Sequence, residues 1–169
     1  MADKPLQVIA GVITQVEGKQ SSAGAGDAGK IPALDAAGRL DSTMMPVGIG
    51  ADTKSIVASE SLTGGDLVNV WDDAGTIKVR KADATAAGKE ANGYVLGSVS
   101  SGASGTVYFE QIITGLSSLT LGAVYYLSAT AGAATTTAPS TGGNVVQRIG
   151  RAVSATELLF QPQAPITLS

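Results

Sequence analysis

The residues best suited to chemistry lie in one glycine-rich stretch, Gly24-Ala25-Gly26-Asp27-Ala28-Gly29-Lys30. Gly24, Gly26 and Gly29 have the spacing of a dinucleotide-binding loop, and Gly24 with Gly29-Lys30 matches most of the phosphate loop of nucleotide hydrolases. Both chemistries need a helix directly after the glycines, so that free backbone N–H groups and the helix dipole face a phosphate. Here Ile31-Pro32 follows, Gly38 comes soon after, and Ile31 stands where a Ser or Thr would hold magnesium. The stretch therefore reads as a glycine-rich arm rather than a nucleotide site.

Other constellations fail on similar grounds. Asp35, Asp41 and Asp52, or Asp66, Asp72 and Asp73, lack the close, regular ligand spacing and glycine turn of a calcium loop. Asp72 and Asp73 fit a turn, where Asp is a preferred residue. Serine catalysis without histidine would need a Lys, Asp or Glu base. The chain has no Ser-x-x-Lys, and Gly102-Ala103-Ser104-Gly105 is one residue short of a nucleophile elbow. The aromatic residues Trp71, Tyr94, Tyr108, Phe109, Tyr125, Tyr126 and Phe160 suggest a sugar platform, but nearly all lie in strand patterns, where packing explains them. Tyr125-Tyr126 is the exception, since adjacent strand residues face opposite sides and one ring must leave the core.

Composition narrows the function further. With no Cys and no His, the chain has no disulfide, thiolate, imidazole base or usual zinc site, so the expectation is a non-enzyme without a metal or other cofactor. The net charge is −3, only 15% of residues are charged, and the densest basic group is Lys78, Arg80 and Lys81. Alternation of Lys78 and Arg80 around Val79 reads as the wet face of a strand, so nucleic acid is not an expected partner. No segment approaches the length of a membrane span and the N-terminus lacks the pattern of a standard export signal, so no membrane association is expected.

The elements that must position these residues divide near Gly50. The first part, residues 1–50, reads as an extended N-terminal arm, and residues 51–169 as a β-sandwich or barrel domain. The arm holds the apolar segment Leu6–Ile13, then a run rich in small and turn-forming residues from Gly18 to Pro46 in which neither helical nor strand period persists. Pro32 and Pro46 bias their preceding residues toward extended geometry. Leu6, Val8 and Ile9, with the widely spaced Ile31, Leu34, Leu40, Met44 and Met45, are too dispersed to form a core, so they are the expected partner-contacting residues.

Beyond Ser55 alternating apolar and polar residues between Gly, Asp and Ser clusters predict strands at 55–60, 67–71, 76–81, 94–100, 105–113, 123–128, 145–153 and 156–162. The clearest hairpin joins Leu67–Trp71 to Thr76–Arg80 through a four-residue turn, Asp72-Asp73-Ala74-Gly75. Eight short strands at even spacing argue for an all-β fold, a small antiparallel β-sandwich or barrel. The chain is 44% hydrophobic but only 4% aromatic, with 22 Gly. Ala-rich cores gain little per residue, and small domains short of core commonly associate.

Two segments carry a family resemblance. The arm stretch from Ser21-Ser22 through Lys30-Ile31-Pro32-Ala33-Leu34-Asp35, Gly38-Arg39-Leu40-Asp41 and Met44-Met45-Pro46 to Gly48 resembles a segment of tailed-bacteriophage structural proteins. The stretch Gly142-Gly143-Asn144-Val145-Val146-Gln147-Arg148-Ile149-Gly150-Arg151-Ala152-Val153-Ser154 is similar to β-modules of the same proteins. The resemblance implies a capsid decoration (cement) protein that stabilises the phage head. It would be a homotrimer, bind the major capsid protein through its arm, be assembled in the host cytoplasm and stay on the virion's capsid surface. The alternative it implies is a head- or tail-fibre protein that binds a receptor carbohydrate. A fibre shaft of sequence repeats is absent, which favours decoration.

Overall fold

The computed structural model describes residues 6–36, 38–45 and 52–169. The chain divides into two units, Met1–Gly50 and Ala51–Ser169. Among the described residues there is no α-helix, and the fold is all-β.

In the first unit strands β1 (Leu6–Ile9) and β2 (Val12–Gln15) form an antiparallel hairpin in which Ile9 faces Val12 and Val8 faces Ile13. The turn is Ala10-Gly11, with φ of 50° and 82°. Positive φ at both central residues matches the right-handed twist of the flanking strands, and Gly11 meets that demand without a Cβ penalty. Beyond β2 the chain doubles back: the Lys19 N–H donates to Ile31 O at 2.9 Å, and the Ala33 N–H donates to Lys19 O at 2.7 Å. Short 3₁₀ turns follow at Ala25–Asp27 and Ser42–Met44. Pro46 and Gly48, which close the bacteriophage-like segment, lie outside the described residues.

The second unit begins with a closed barrel of β3 (Thr53–Ala58), β4 (Leu67–Asp73), β5 (Thr76–Lys81), β6 (Gly93–Val95) and β7 (Ser104–Tyr108), ordered β3-β5-β4-β6-β7. A five-stranded barrel has a narrow interior, and β-branched side chains of modest volume fill it. Val68, Val79, Val95 and Val107 come from four different strands, and Ile56 and Ala58 from the fifth. All pairs in the barrel are antiparallel except β3 with β5, which run parallel with Val57 opposite Lys78. An antiparallel arrangement throughout was the expectation. β3 and β5 are not consecutive, and the crossover between them passes through β4, which frees their relative direction from hairpin geometry.

The remaining strands are β8 (Gln111–Ile113), β9 (Val124–Leu127), β10 (Ala134–Thr135), β11 (Val145–Val146), β12 (Arg148–Ala152), β13 (Leu158–Phe160) and β14 (Ile166–Thr167). Five of them make a sheet ordered β10-β9-β12-β13-β8, and β11 pairs with β14. Tyr125, Leu127, Ile149, Leu158, Phe160 and Ile113 from this sheet pack with Leu67 and Tyr94 of the barrel strands in a second core. The consecutive pairs Leu67-Val68 and Tyr94-Val95 are buried on both sides, one residue in each core, so β4 and β6 are shared walls. Tyr94 stacks on Tyr108 at 5.4 Å, meets Phe160 edge-on at 5.2 Å, and its hydroxyl donates to Glu110 O at 2.9 Å.

Several expected strands have other bounds, each for a local reason. The hairpin turn is two residues long, since Asp73 pairs with Thr76 and Ala74 and Gly75 take φ of 52° and 86°. The expected 105–113 strand breaks at Phe109-Glu110, where the chain leaves the barrel for the sheet and Gln111 adopts a φ of 86°. The expected 145–153 strand breaks at Gln147. Its buried amide donates to Ala91 O at 3.0 Å and accepts from the Ala91 N–H at 2.8 Å. The 94–100 strand stops at Val95, and Val99 instead exchanges hydrogen bonds with Leu62.

Candidate functional site: an exposed apolar hairpin

The β1–β2 hairpin is the most unusual surface of the first unit. Leu6 is 66% exposed, Val8 70%, Ile9 52%, Val12 63% and Ile13 70%. Cross-strand partners share a face, so Leu6, Val8 and Ile13 lie on one side and Ile9 and Val12 on the other. A hairpin packed on its own domain hides one apolar face, and a solvated one is polar outside. This hairpin carries exposed apolar side chains on both faces, beside Gln7 and Thr14 on one and Gln15 on the other. A lone two-stranded hairpin is at best marginally stable in water, and covering each such side chain contributes about 1.5–3 kcal/mol.

The other expected contact residues fall into two further groups. Ile31, half-buried, and Leu34, exposed, are held beside Lys19 and Gln20: Lys19 bonds to Ile31 O, and Gln20 Nε2 donates to Leu34 O at 3.0 Å. Met44, half-buried, and Met45, exposed, end the second 3₁₀ turn. That turn is tied back by the Ser22 N–H, which donates to Thr43 Oγ1 at 2.8 Å. Leu40 is exposed between them. Val12 and Ile13 were not among the expected contacts, although they add two exposed apolar side chains to the three of Leu6, Val8 and Ile9. The signal for them was the small pair Ala10-Gly11 between two apolar runs.

The glycine stretch that resembles a phosphate loop is closed by its own carboxylate. Asp27 Oδ2 accepts from the Ala23 N–H at 2.8 Å, and Oδ1 pairs with Lys19 Nζ at 3.2 Å. The Ala23 hydrogen bond, then Lys19, hold the Asp27 carboxyl below its ordinary range. The Ala23 N–H ahead of the glycines is therefore occupied, and the turn they enter is a 3₁₀ turn of three residues rather than a helix. Asp41 is held low by Thr43, whose hydroxyl and N–H donate to Oδ1 at 2.5 and 2.9 Å. Asp35 accepts from the Arg39 N–H at 2.9 Å.

In the second unit Asp72 accepts from the Gly75 N–H at 2.8 Å, Asp73 pairs with Lys78 and Asp66 with Lys81, which are turn and ion-pair roles. Among the described residues no three His, Cys, Asp or Glu side chains are grouped to hold a metal, and no helix is long and apolar enough to cross a membrane. Tyr125 is buried and accepts from the Thr120 N–H at 2.9 Å, which removes it as a sugar platform, while Tyr126 is half-exposed on the opposite face. No family model and no curated protein matches this chain.

Proposed function

We propose that this chain is a virion structural protein, a capsid decoration (cement) protein of a tailed bacteriophage. In this reading it is a homotrimer that binds the major capsid protein through its first fifty residues and remains on the capsid surface after assembly in the host cytoplasm. It acts by binding, with no catalytic step, cofactor, nucleic acid or membrane. One observation carries the reading: a β1–β2 hairpin with apolar side chains on both faces, in a unit that leaves Leu6, Val8, Ile9, Val12 and Ile13 uncovered. Docking would bury those side chains, and the open edges of β1 and β2 could pair with a strand of the shell. Leu34, Leu40 and Met45, all exposed, add spaced anchors along the same segment.

The test is co-sedimentation of the full chain with capsids that lack their decoration protein. Val8→Asp with Ile13→Asp places two charges on one hairpin face and should abolish co-sedimentation, while the circular dichroism and melting temperature of the second unit stay unchanged. Undiminished binding by that variant would sink the proposal.

A further inference from the structure

The five-stranded sheet has one face on the core, and on its other face Ile112 and Arg151 are exposed while Val124, Tyr126, Arg148 and Leu159 are half-buried. Residues paired across strands share a face. The pairs Val124–Arg151, Arg151–Leu159 and Leu159–Ile112 therefore place four side chains in one row across the sheet, and Tyr126–Arg148 adds a second row. The open face of an antiparallel sheet is ordinarily polar. These six positions hold four apolar or aromatic residues and two arginines, with no Lys, Asp or Glu. That is the composition of interface centres, where aromatic residues and Arg are enriched and Lys, Asp and Glu depleted.

Arg148 adds a second, independent observation. Its Nε is buried and has no hydrogen-bond partner among the described residues. Buried donors are nearly always paired, so the hydrogen bonding of this side chain is incomplete within the chain. Arg148 also makes no ion pair among the described residues, and Arg151 has only the Gly122 carbonyl.

The same chain carries complementary acids at the β8 edge of this sheet. The Phe109 N–H donates to Asp52 O at 2.9 Å, which sets Asp52 close to Glu110. Both residues are exposed, and neither carboxylate has a hydrogen bond or ion pair among the described residues. Glu110 stands on the wall of a groove of about 590 Å³ that also presents Gln111, Gln161 and Gln163, whose amide oxygens suit a guanidinium.

We infer that copies of this chain bind each other here: the open sheet face of one copy receives the Asp52–Glu110 edge of the next, and Arg148 pairs with Glu110. The occupant is a second copy because the arginine without an ion pair and the carboxylates without one are complementary charges carried by the same sequence. The contact assigns a surface to the self-association within the proposed function and rests on that reading to this extent. It uses none of the first fifty residues and its test needs no capsid, so the two can fail separately.

The experiment is sedimentation equilibrium of the full chain at micromolar concentration, with circular dichroism as the check on folding. The wild type should run at a multiple of its monomer mass. Arg148→Glu and Glu110→Arg should each raise the dissociation constant by about 30-fold or more, as loss of one partner of a desolvated charge pair does. The double variant, with the charges exchanged, should recover association. A monomeric wild type, an unchanged mass in either single variant, or a double variant that stays dissociated overturns the proposal. Should Arg148→Glu fail to fold, Glu110→Arg at its exposed position decides alone, and an unchanged mass there overturns it.

Discussion

Gln147 interrupts what would otherwise be one strand, and its amide pairs with both backbone groups of Ala91, 56 residues away. It acts as a stand-in for a strand neighbour, joining the 82–92 loop to the sheet. The same loop is held at its other side by Asn69, whose Nδ2 donates to Glu90 O at 2.8 Å and whose Oδ1 accepts from Arg80 Nε at 3.0 Å. Within it, burial of Asp83 favours the neutral acid, but hydrogen bonds from Thr85 and Lys89 outweigh that and leave the carboxyl below its ordinary range. Replacing Gln147 by Leu keeps most of the volume and leaves the Ala91 N–H and C=O buried without partners. An unpaired buried group costs about 1–3 kcal/mol, so a loss of about 2–4 kcal/mol is expected in urea denaturation. Nothing in the linear sequence marks Gln147 as buried, since it stands beside Arg148 and the two read as one polar step in an otherwise apolar run.

Between elements, the β12–β13 contact shows how closely the sheet packs. The register of β12 against β9 shifts between Arg148 and Gly150, and a Cβ added at Gly150 would lie 1.8 Å from Leu159 O. That atom is backbone and cannot turn away. Gly150→Ala should therefore force β12 and β13 apart at a cost of about 2–3 kcal/mol, in line with overpacked cores. Gly97→Ala, where an added Cβ meets no atom within 4 Å, is the control and should change stability by less than about 0.5 kcal/mol. Thermal unfolding of both variants checks the difference. Hairpins were more legible than this bulge: alternation and turn residues announced β4 and β5, although two consecutive positive φ values made the turn shorter than its Asp-rich sequence suggested.

For the whole molecule, both hydrophobic cores are built only from residues 56–160, and the described part of the first unit contributes no fully buried residue. A chain lacking residues 1–50 should therefore melt within a few degrees of the full-length protein. A melting temperature lowered by 10 °C or more, about 2 kcal/mol for a domain of this size, would show that the first unit supports the second. The candidate site was only partly legible. Leu6, Val8 and Ile9 stood out as apolar residues without a core. That Val12 and Ile13 extend the exposed apolar area follows from the register of β1 against β2, which the Ala10-Gly11 turn sets.

The sequence by itself determined the β class, the positions of most strands, the small volume of the side chains available to a core, and the lack of a helix behind the glycine loop. Those properties depend on residue type and near-neighbour spacing. The tertiary structure alone decided which strands close the barrel, that β3 and β5 run parallel, that Leu67 and Val68 serve different cores, and that Tyr125 turns inward while Tyr126 turns out. Period-two alternation states that a strand has two faces, but which face is buried depends on what packs against it. For β4 and β6 both faces are covered, by segments distant in sequence, and no local pattern carries that information.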